Sequence, residues 1–168
     1  MSGNWRPRPG SAALLLRSIS IDNAGRFERC LEGVSEPDLL RRAGPTTNHM
    51  LFLAAHVVDA RYFLAGLLGI DQENPLAPFL EGAATIEDVK EYPSISLISE
   101  LFRSITDQIN GSLLRSDDDA FAGRPKPGLP VALETLGEAV AFLLSHESYH
   151  LGQLAFLRKH NGYPAVRY

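Results

Sequence analysis

The histidine pair His146 and His150 is the feature of this sequence with the clearest chemical meaning. The two residues lie four positions apart in the segment SHESYHLGQLAFLRKH, which otherwise has the apolar spacing of a buried helix face. Residues four apart on a helix lie about 5–6 Å apart, so both imidazoles can reach one metal ion. A buried polar atom without a partner costs roughly 1–3 kcal/mol, which favours a metal site here. Histidines satisfied by other core or pocket groups are the alternative.

A third histidine, His56, lies in the apolar segment NHMLFLAAHVVDARYFLAGLLG. It is in register with Leu53, Ala60 and Phe63, so we expect it to face the same interior as the histidine pair. Three imidazoles would leave at least one coordination position of an ion open, which is typical of catalytic rather than structural zinc sites. Spacing alone gives His56 no pairing signal, so a lone core histidine is the alternative.

Four segments have helical spacing, and no segment alternates like a β-strand. We predict helices over roughly residues 11–33, 48–68, 94–114 and 135–159, within a single domain spanning residues 1–168. Thr135 and Glu138 form a capping-box pattern at the start of the last helix. The long Pro- and Gly-rich connection between the second and third helices can cross a bundle and start the next helix in the same direction. The predicted fold class is therefore all-α, a four-helix bundle.

The segment HESYH also matches the H-E-x-x-H signature of zinc proteases, in which Glu147 would act as the general base. The extended form of that signature requires a glycine where this chain has Gln153 and a histidine where it has Phe156. No Asp or Glu follows Glu147 to serve as a third ligand. A protease is therefore disfavoured, and Glu147 is expected to be a surface or interhelical charge. Its action as a base toward bound water is the catalytic alternative.

Further polar residues are candidates for lining the pocket or for supporting the ligands. Asp59 lies one turn beyond His56 and is placed to orient an imidazole, with a surface salt bridge as the alternative. Asn23 lies in the apolar stripe of the first helix, where a hydrogen bond between helices is the alternative. His49 lies two turns before His56 and is expected to line an entrance. The complete set of these candidates is Asp59, Gln153, Tyr149, Asn23 and His49.

Composition and charge give no support for several classes of partner. The formal net charge is −4, and the basic residues are scattered, so the clustered Lys and Arg that bind nucleic acids are missing. The N-terminal segment lacks the apolar core of a secretory signal, and no apolar run is expected to reach the length of a membrane span. The lone Cys30 cannot form an intrachain disulfide, which fits a reducing compartment. We therefore expect a cytoplasmic protein without nucleic-acid or membrane partners.

On the segment containing His56 and on HESYHLGQLAFLRKHNGYP, the sequence resembles the DinB/YfiT-like family of metal-dependent enzymes, over almost the whole chain. The resemblance implies a four-helix bundle of up-down-down-up topology, and often a homodimer. It also implies a divalent ion, commonly nickel or zinc, held by His56, His146 and His150 in an open pocket. Family members with known activity include transferases and isomerases that use low-molecular-weight thiols such as mycothiol, bacillithiol or glutathione.

The predicted function is therefore a metal-dependent enzyme that activates a thiol or water against a small electrophilic substrate. Such an ion keeps its charge on three neutral imidazoles, so it lowers the pKa of bound water toward about 7 or stabilises a thiolate. Histidine ligands suit zinc, nickel, copper and iron alike, so the residues do not identify the metal. The alternatives are a metal-dependent module that binds a small ligand or serves a stress response without turnover, and a bundle that only supports oligomer assembly.

Overall fold

The protein is built from four long helices that pack around a common core. The computed structural model describes residues 9–80, 86–89 and 91–167, and these contain helices and no β-strand. The long helices are α1 (Ser11–Leu31), α3 (Met50–Leu67), α5 (Ile95–Arg115) and α6 (Leu136–His160), and short helices α2 (Glu36–Leu39) and α4 (Ala77–Leu80) lie in the connections. The ends of the long helices fall within two residues of the expected positions. The predicted all-α class is confirmed.

Each long helix packs against two of the other long helices around the core. Helix α1 packs against α5 and α6, and α3 packs against the same two helices. Phe27 of α1 stacks on Phe102 of α5, with ring centroids 3.9 Å apart. Burying a large apolar side chain contributes roughly 1.5–3 kcal/mol, so these stripes drive the packing. Each long helix contributes buried apolar residues, including Leu16, Phe27, Leu53, Val57, Ile98, Phe102, Ile109, Leu144 and Leu154.

Side-chain caps define where the long helices begin. Thr135 and Glu138 form the predicted capping box of α6, and Ser94 caps α5 by accepting a hydrogen bond from the amide of Leu97. His49 caps α3, because its Nδ1 accepts a hydrogen bond of 3.0 Å from the amide of Phe52. Helix α3 begins at Met50 rather than near residue 48, so His49 lies at its N-terminal end rather than on its inner face. His49 does not line either of the two cavities that contain clustered histidines, so the expectation that it lines an entrance is not confirmed.

Helix α3 is more apolar than the sequence led us to expect. Residues Met50–Leu67 have a mean hydropathy of 1.4 over 18 residues, which by length and composition is enough to cross a membrane. The expectation that no apolar run reaches that length was therefore wrong. However, 67% of this segment is buried against the rest of the protein. Its apolar composition is thus explained by its position in the core, where it packs against both α5 and α6.

A buried ion pair joins α3 to α6 at the centre of the molecule. Arg61 is 0% exposed and Glu147 is 2% exposed. The guanidinium donates from Nε to Oε2 at 2.9 Å and from Nη2 to Oε1 at 2.8 Å. It also donates to Oγ1 of Thr106 on α5 and to the carbonyl of Ser20 on α1. One side chain therefore connects all four long helices, and its charge is balanced within the core.

We predict that Glu147→Gln destabilises the protein by about 3–5 kcal/mol, because it leaves the Arg61 guanidinium buried without a countercharge. The double variant Arg61→Met with Glu147→Leu removes both charges and should recover most of that loss. Urea unfolding of the two proteins beside the wild type measures the difference. A Glu147→Gln protein within about 1 kcal/mol of the wild type would contradict this role for the pair.

The His49 cap makes stability depend on pH. Burial, and then the positive charge of Arg42, hold the pKa of His49 below its ordinary value. The unfolded chain therefore binds more protons than the folded one, and the free energy of unfolding falls as the pH drops below about 6.5. Asn can cap a helix without titrating, so His49→Asn is the matched control.

Urea unfolding of the metal-free proteins at pH 7.5 and 5.0 tests this prediction. The wild type should lose more stability than His49→Asn, by up to about 1.4 kcal/mol for each pH unit between the folded and unfolded pKa values. Equal losses in the two proteins would show that His49 is not the titrating group.

Candidate metal site

Three histidine side chains from two helices meet in one cluster. His56 comes from α3, and His146 and His150 come from successive turns of α6. One ring nitrogen from each residue lies within 4.8 Å of the others, and all three side chains are half-buried. The Nε2 atoms of His146 and His150 are 3.0 Å apart. The structure thus brings together the three residues that the sequence predicts as metal ligands.

The surrounding helices fix the direction of these rings. The ion pair between Arg61 and Glu147 joins α3 to α6 close to the cluster, because Glu147 directly follows His146 in the chain. Phe52, one turn before His56, lies nearly parallel to its ring at 6.1 Å between centroids. Phe142 lies one turn before His146 and stacks on it at 6.2 Å. Each of these two imidazoles therefore has an aromatic ring on the preceding turn of its own helix.

Hydrogen bonding assigns the proton of His150. Its Nδ1 lies 2.8 Å from Oε1 of Gln153, and a carbonyl oxygen only accepts, so Nδ1 carries the proton. The lone pair is then on Nε2, which points at His146. Burial lowers the pKa of His150 to about 4, an effect that its bond to Gln153 opposes in part and the neighbouring histidines reinforce. Burial, followed by the proximity of His146, also lowers the pKa of His56.

The arrangement fits a divalent transition metal. Metal sites use neutral imidazoles, and the lowered pKa values of His56 and His150 keep both rings neutral at pH 7. A metal-bound histidine usually donates its second N–H to an oxygen acceptor, as His150 does to Gln153. Two Nε2 atoms facing each other at 3.0 Å have room for only one proton between them in the neutral state. The donor set and its support therefore match a site for one cation.

Among the five supporting candidates, Gln153 and Tyr149 lie beside the cluster. Gln153 contacts His150 as described, and its Nε2 donates to the hydroxyl of Tyr149 at 3.2 Å. The Tyr149 ring lies 5.1 Å from the His150 ring, although the side chain is 64% exposed. These contacts form a chain from the solvent-exposed Tyr149 to the ligand candidate His150.

Asp59 and Asn23 make other contacts than those the sequence suggested. Oδ1 of Asp59 accepts a hydrogen bond of 2.6 Å from Asn74, so this carboxylate is paired with an amide rather than an imidazole. Asn23 is buried and donates to the carbonyl of Leu144 at 2.9 Å, while its Oδ1 accepts from Ser148 at 3.0 Å. It therefore holds α1 against α6, which was the alternative to a place in the pocket.

Glu147 has a structural role in place of the catalytic one that the H-E-x-x-H match suggested. Both of its carboxylate oxygens accept hydrogen bonds from Arg61, and the side chain is 2% exposed. A carboxylate with both oxygens bonded to a buried guanidinium is not available to water. The physical cause is helical geometry, because the residue after His146 is rotated about 100° around the helix from it.

Sequence reasoning missed Arg61 and the two aromatic residues beside the histidines. Arg61 had a visible signal, since it is the only Lys or Arg within α3, a helix whose other positions are mostly apolar. A charge in such a helix is stable only with a buried partner, which Glu147 supplies. Phe52 and Phe142 had no signal, because their apolar character is equally typical of ordinary core residues.

The chain is similar to a known protein family over most of its length. A model of the DinB superfamily matches residues 22–154, which include all three clustered histidines and most of the chain. No curated protein matches the sequence.

We predict that His150 of the metal-free protein is neutral at pH 7 with its proton on Nδ1, because Gln153 accepts that proton. Long-range ¹H–¹⁵N correlation spectra of the imidazole rings distinguish the two tautomers. In Gln153→Ala the acceptor is lost, so we expect a mixture of tautomers at His150. Finding the Nε2–H tautomer in the wild type would contradict the assignment.

Proposed function

The chain belongs to the DinB superfamily, and we propose that it is a metal-dependent enzyme in which His56, His146 and His150 hold one divalent ion, nickel or zinc, with iron as a further possibility. The proposed reaction joins a low-molecular-weight thiol, or water, to a small electrophilic substrate. The observation that supports this most strongly is the convergence of three imidazole nitrogens within 4.8 Å. The thiol rests on the resemblance to family members that use one.

The chemistry of the bound ion follows from its ligands. A divalent ion on three neutral imidazoles would supply Lewis acidity, lowering the pKa of a thiol or water in its open position. The contribution of this chain is to keep those imidazoles neutral and aligned. Gln153 fixes the tautomer of His150, and the rings of Phe52 and Phe142 lie beside those of His56 and His146. Holding the rings in place before binding reduces the ordering that the ion would otherwise have to impose.

The alternative is a module that binds a metal and a small ligand without turnover. One observation favours it: the carboxylates near the cluster already have partners. Glu147 is bound to Arg61, and Asp59 accepts from Asn74. The ion pair with Arg61 makes Glu147 unavailable as a general base, so proton transfer would fall to the activated nucleophile, to the substrate or to Asp59. Turnover of thiol–electrophile pairs by metal-loaded protein separates the two functions, because a binding module gives saturable binding and no product.

We also propose that the four long helices run up, down, down and up. The contacts between α1 and α6 support parallel helices, since Asn23 meets Leu144 and Cys30 meets Leu151. Contacts between α1 and α5 support antiparallel helices, since Gly10 bonds to Ser116 and Glu28 bonds to Arg103. Helix α3 is antiparallel to α6 by the same reasoning, with His56 near His150 and Arg61 bound to Glu147.

Two further properties stay predictions. A homodimer is expected from the family resemblance, and light scattering in solution measures it. A cytoplasmic location is expected from the sequence, and fractionation of cells that express the protein measures it.

The metal site is tested by elemental analysis of protein purified without an affinity tag or chelator. We expect about one equivalent of a transition metal in the wild type and a large loss in both His56→Ala and His146→Ala, because two imidazoles hold an ion far less tightly than three. His160→Ala is the matched control, since His160 is exposed at the end of α6. Metal-free wild type after reconstitution, or equal loss in the control, would contradict the site.

A further inference from the structure

A cavity of about 610 Å³ opens beside the histidine cluster, between α3, α6 and residues 126–130. His56 and His146 both line it, so a molecule in this cavity lies directly against the cluster. Cavities of roughly 300–1,000 Å³ are typical of sites for small organic molecules. The other walls are largely apolar and include Phe63, Leu67, Leu129, Phe142 and Leu143.

Tyr62 adds one polar group to these apolar walls. Its side chain is 5% exposed and lines the cavity, and its hydroxyl is buried without a hydrogen-bond partner. Burial raises the pKa of Tyr62, so the hydroxyl keeps its proton at neutral pH and is a donor. A buried donor without an acceptor is uncommon in folded proteins, because it has lost its bonds to water. An oxygen atom on a bound molecule would satisfy it.

The charged groups of the cavity are already engaged within the protein. Asp59 accepts from Asn74, and burial raises the pKa of this carboxyl. Lys126 donates from Nζ to the carbonyl of Gly66 at 3.2 Å. In the metal-free protein, a charged ligand would therefore lose its hydration to apolar walls with little compensation. An uncharged ligand does not have this cost.

We propose that this cavity binds the organic substrate, and that the substrate is an uncharged, mainly apolar molecule with an oxygen atom that accepts a hydrogen bond from Tyr62. The identification as substrate rests on the proposed function, because it takes the histidine cluster to be the reactive centre. Tyr62 is then a residue that determines specificity, and Phe63, Phe142 and Leu143 supply the apolar contacts.

A second cavity on the other side of the cluster is less suited to a substrate. It is lined by His56, His150 and Arg42, and Arg42 is the cation that an anionic substrate would meet there. That guanidinium is already bound by protein acceptors, since Nε donates to Thr47, Nη1 to Glu87 and Nη2 to Pro45. These bonds use three of its five N–H groups, and Glu87 already balances its charge, so an anion would gain little there and the apolar cavity is the better site.

The proposal is tested by binding alone, on metal-free protein. Ligand-observed ¹H NMR titrations give dissociation constants for acetophenone, for ethylbenzene, which lacks the ketone oxygen, and for benzoate, which carries a charge. We expect acetophenone to bind most tightly and benzoate roughly tenfold or more weaker. Because these titrations use metal-free protein, a failure to bind the probes would not bear on the metal-site measurements. A missing metal site would likewise leave the dissociation constants of the probes unchanged.

Two variants test whether the neutral probes bind in this cavity. Tyr62→Phe should weaken acetophenone by roughly 3- to 10-fold while changing ethylbenzene by less than about twofold, because only the ketone uses the hydroxyl. Gly66→Leu should abolish binding of both, since Gly66 lines the cavity and an added Cβ there meets no atom within 4 Å. Gly111→Leu is the matched control on α5, where the nearest group to the added Cβ is the flexible end of Arg115.

The results that would overturn the proposal are equally specific. They are no binding of acetophenone to the wild type, benzoate binding as tightly as acetophenone, binding that survives Gly66→Leu, or equal weakening of both neutral probes by Tyr62→Phe. Circular dichroism confirms the folding of each variant. If Gly66→Leu does not fold, Ala60→Leu blocks the same cavity from the preceding turns of α3 and is judged by the same criterion.

Discussion

The ion pair between Arg61 and Glu147 is the interaction on which the geometry of the histidine cluster depends. It joins α3 to α6 inside the core, and the guanidinium also bonds to α1 through Ser20 and to α5 through Thr106. Two charges buried at this depth are stable only while both are present and fully hydrogen-bonded. The pair therefore permits few relative positions of the helices, which sets the register of α3 against α6. A metal site assembled from both helices needs that register.

Helical geometry explains why the H-E-x-x-H segment was open to two interpretations. His146, Glu147 and His150 match a protease signature by spacing, yet the helix directs Glu147 away from the histidines by about 100°. The rotation that brings two imidazoles to the cluster thus takes the carboxylate to Arg61. Under the proposed function, a site with three nitrogen ligands would rely on the ion for activation of the nucleophile.

Much of the architecture could be predicted from the sequence, because apolar periodicity and capping residues are local signals. The pattern of Thr135 and Glu138 predicted the start of α6, and the spacing of His146 and His150 predicted that both lie on one face of that helix. The partners of polar residues could not be predicted in the same way. Asn23 and Asp59 were recognised as unusual, but their contacts with Leu144 and Asn74 depend on how distant segments pack.

The central claim is that His56, His146 and His150 bind one divalent ion together and leave a position open. X-ray absorption spectroscopy of the reconstituted protein tests this most directly, because it counts imidazole ligands around the metal. The account predicts three imidazoles at roughly 2.0–2.1 Å for zinc, with at least one further light ligand that exchanges with added thiol. Two or fewer imidazoles, or an ion with no exchangeable position, would contradict it.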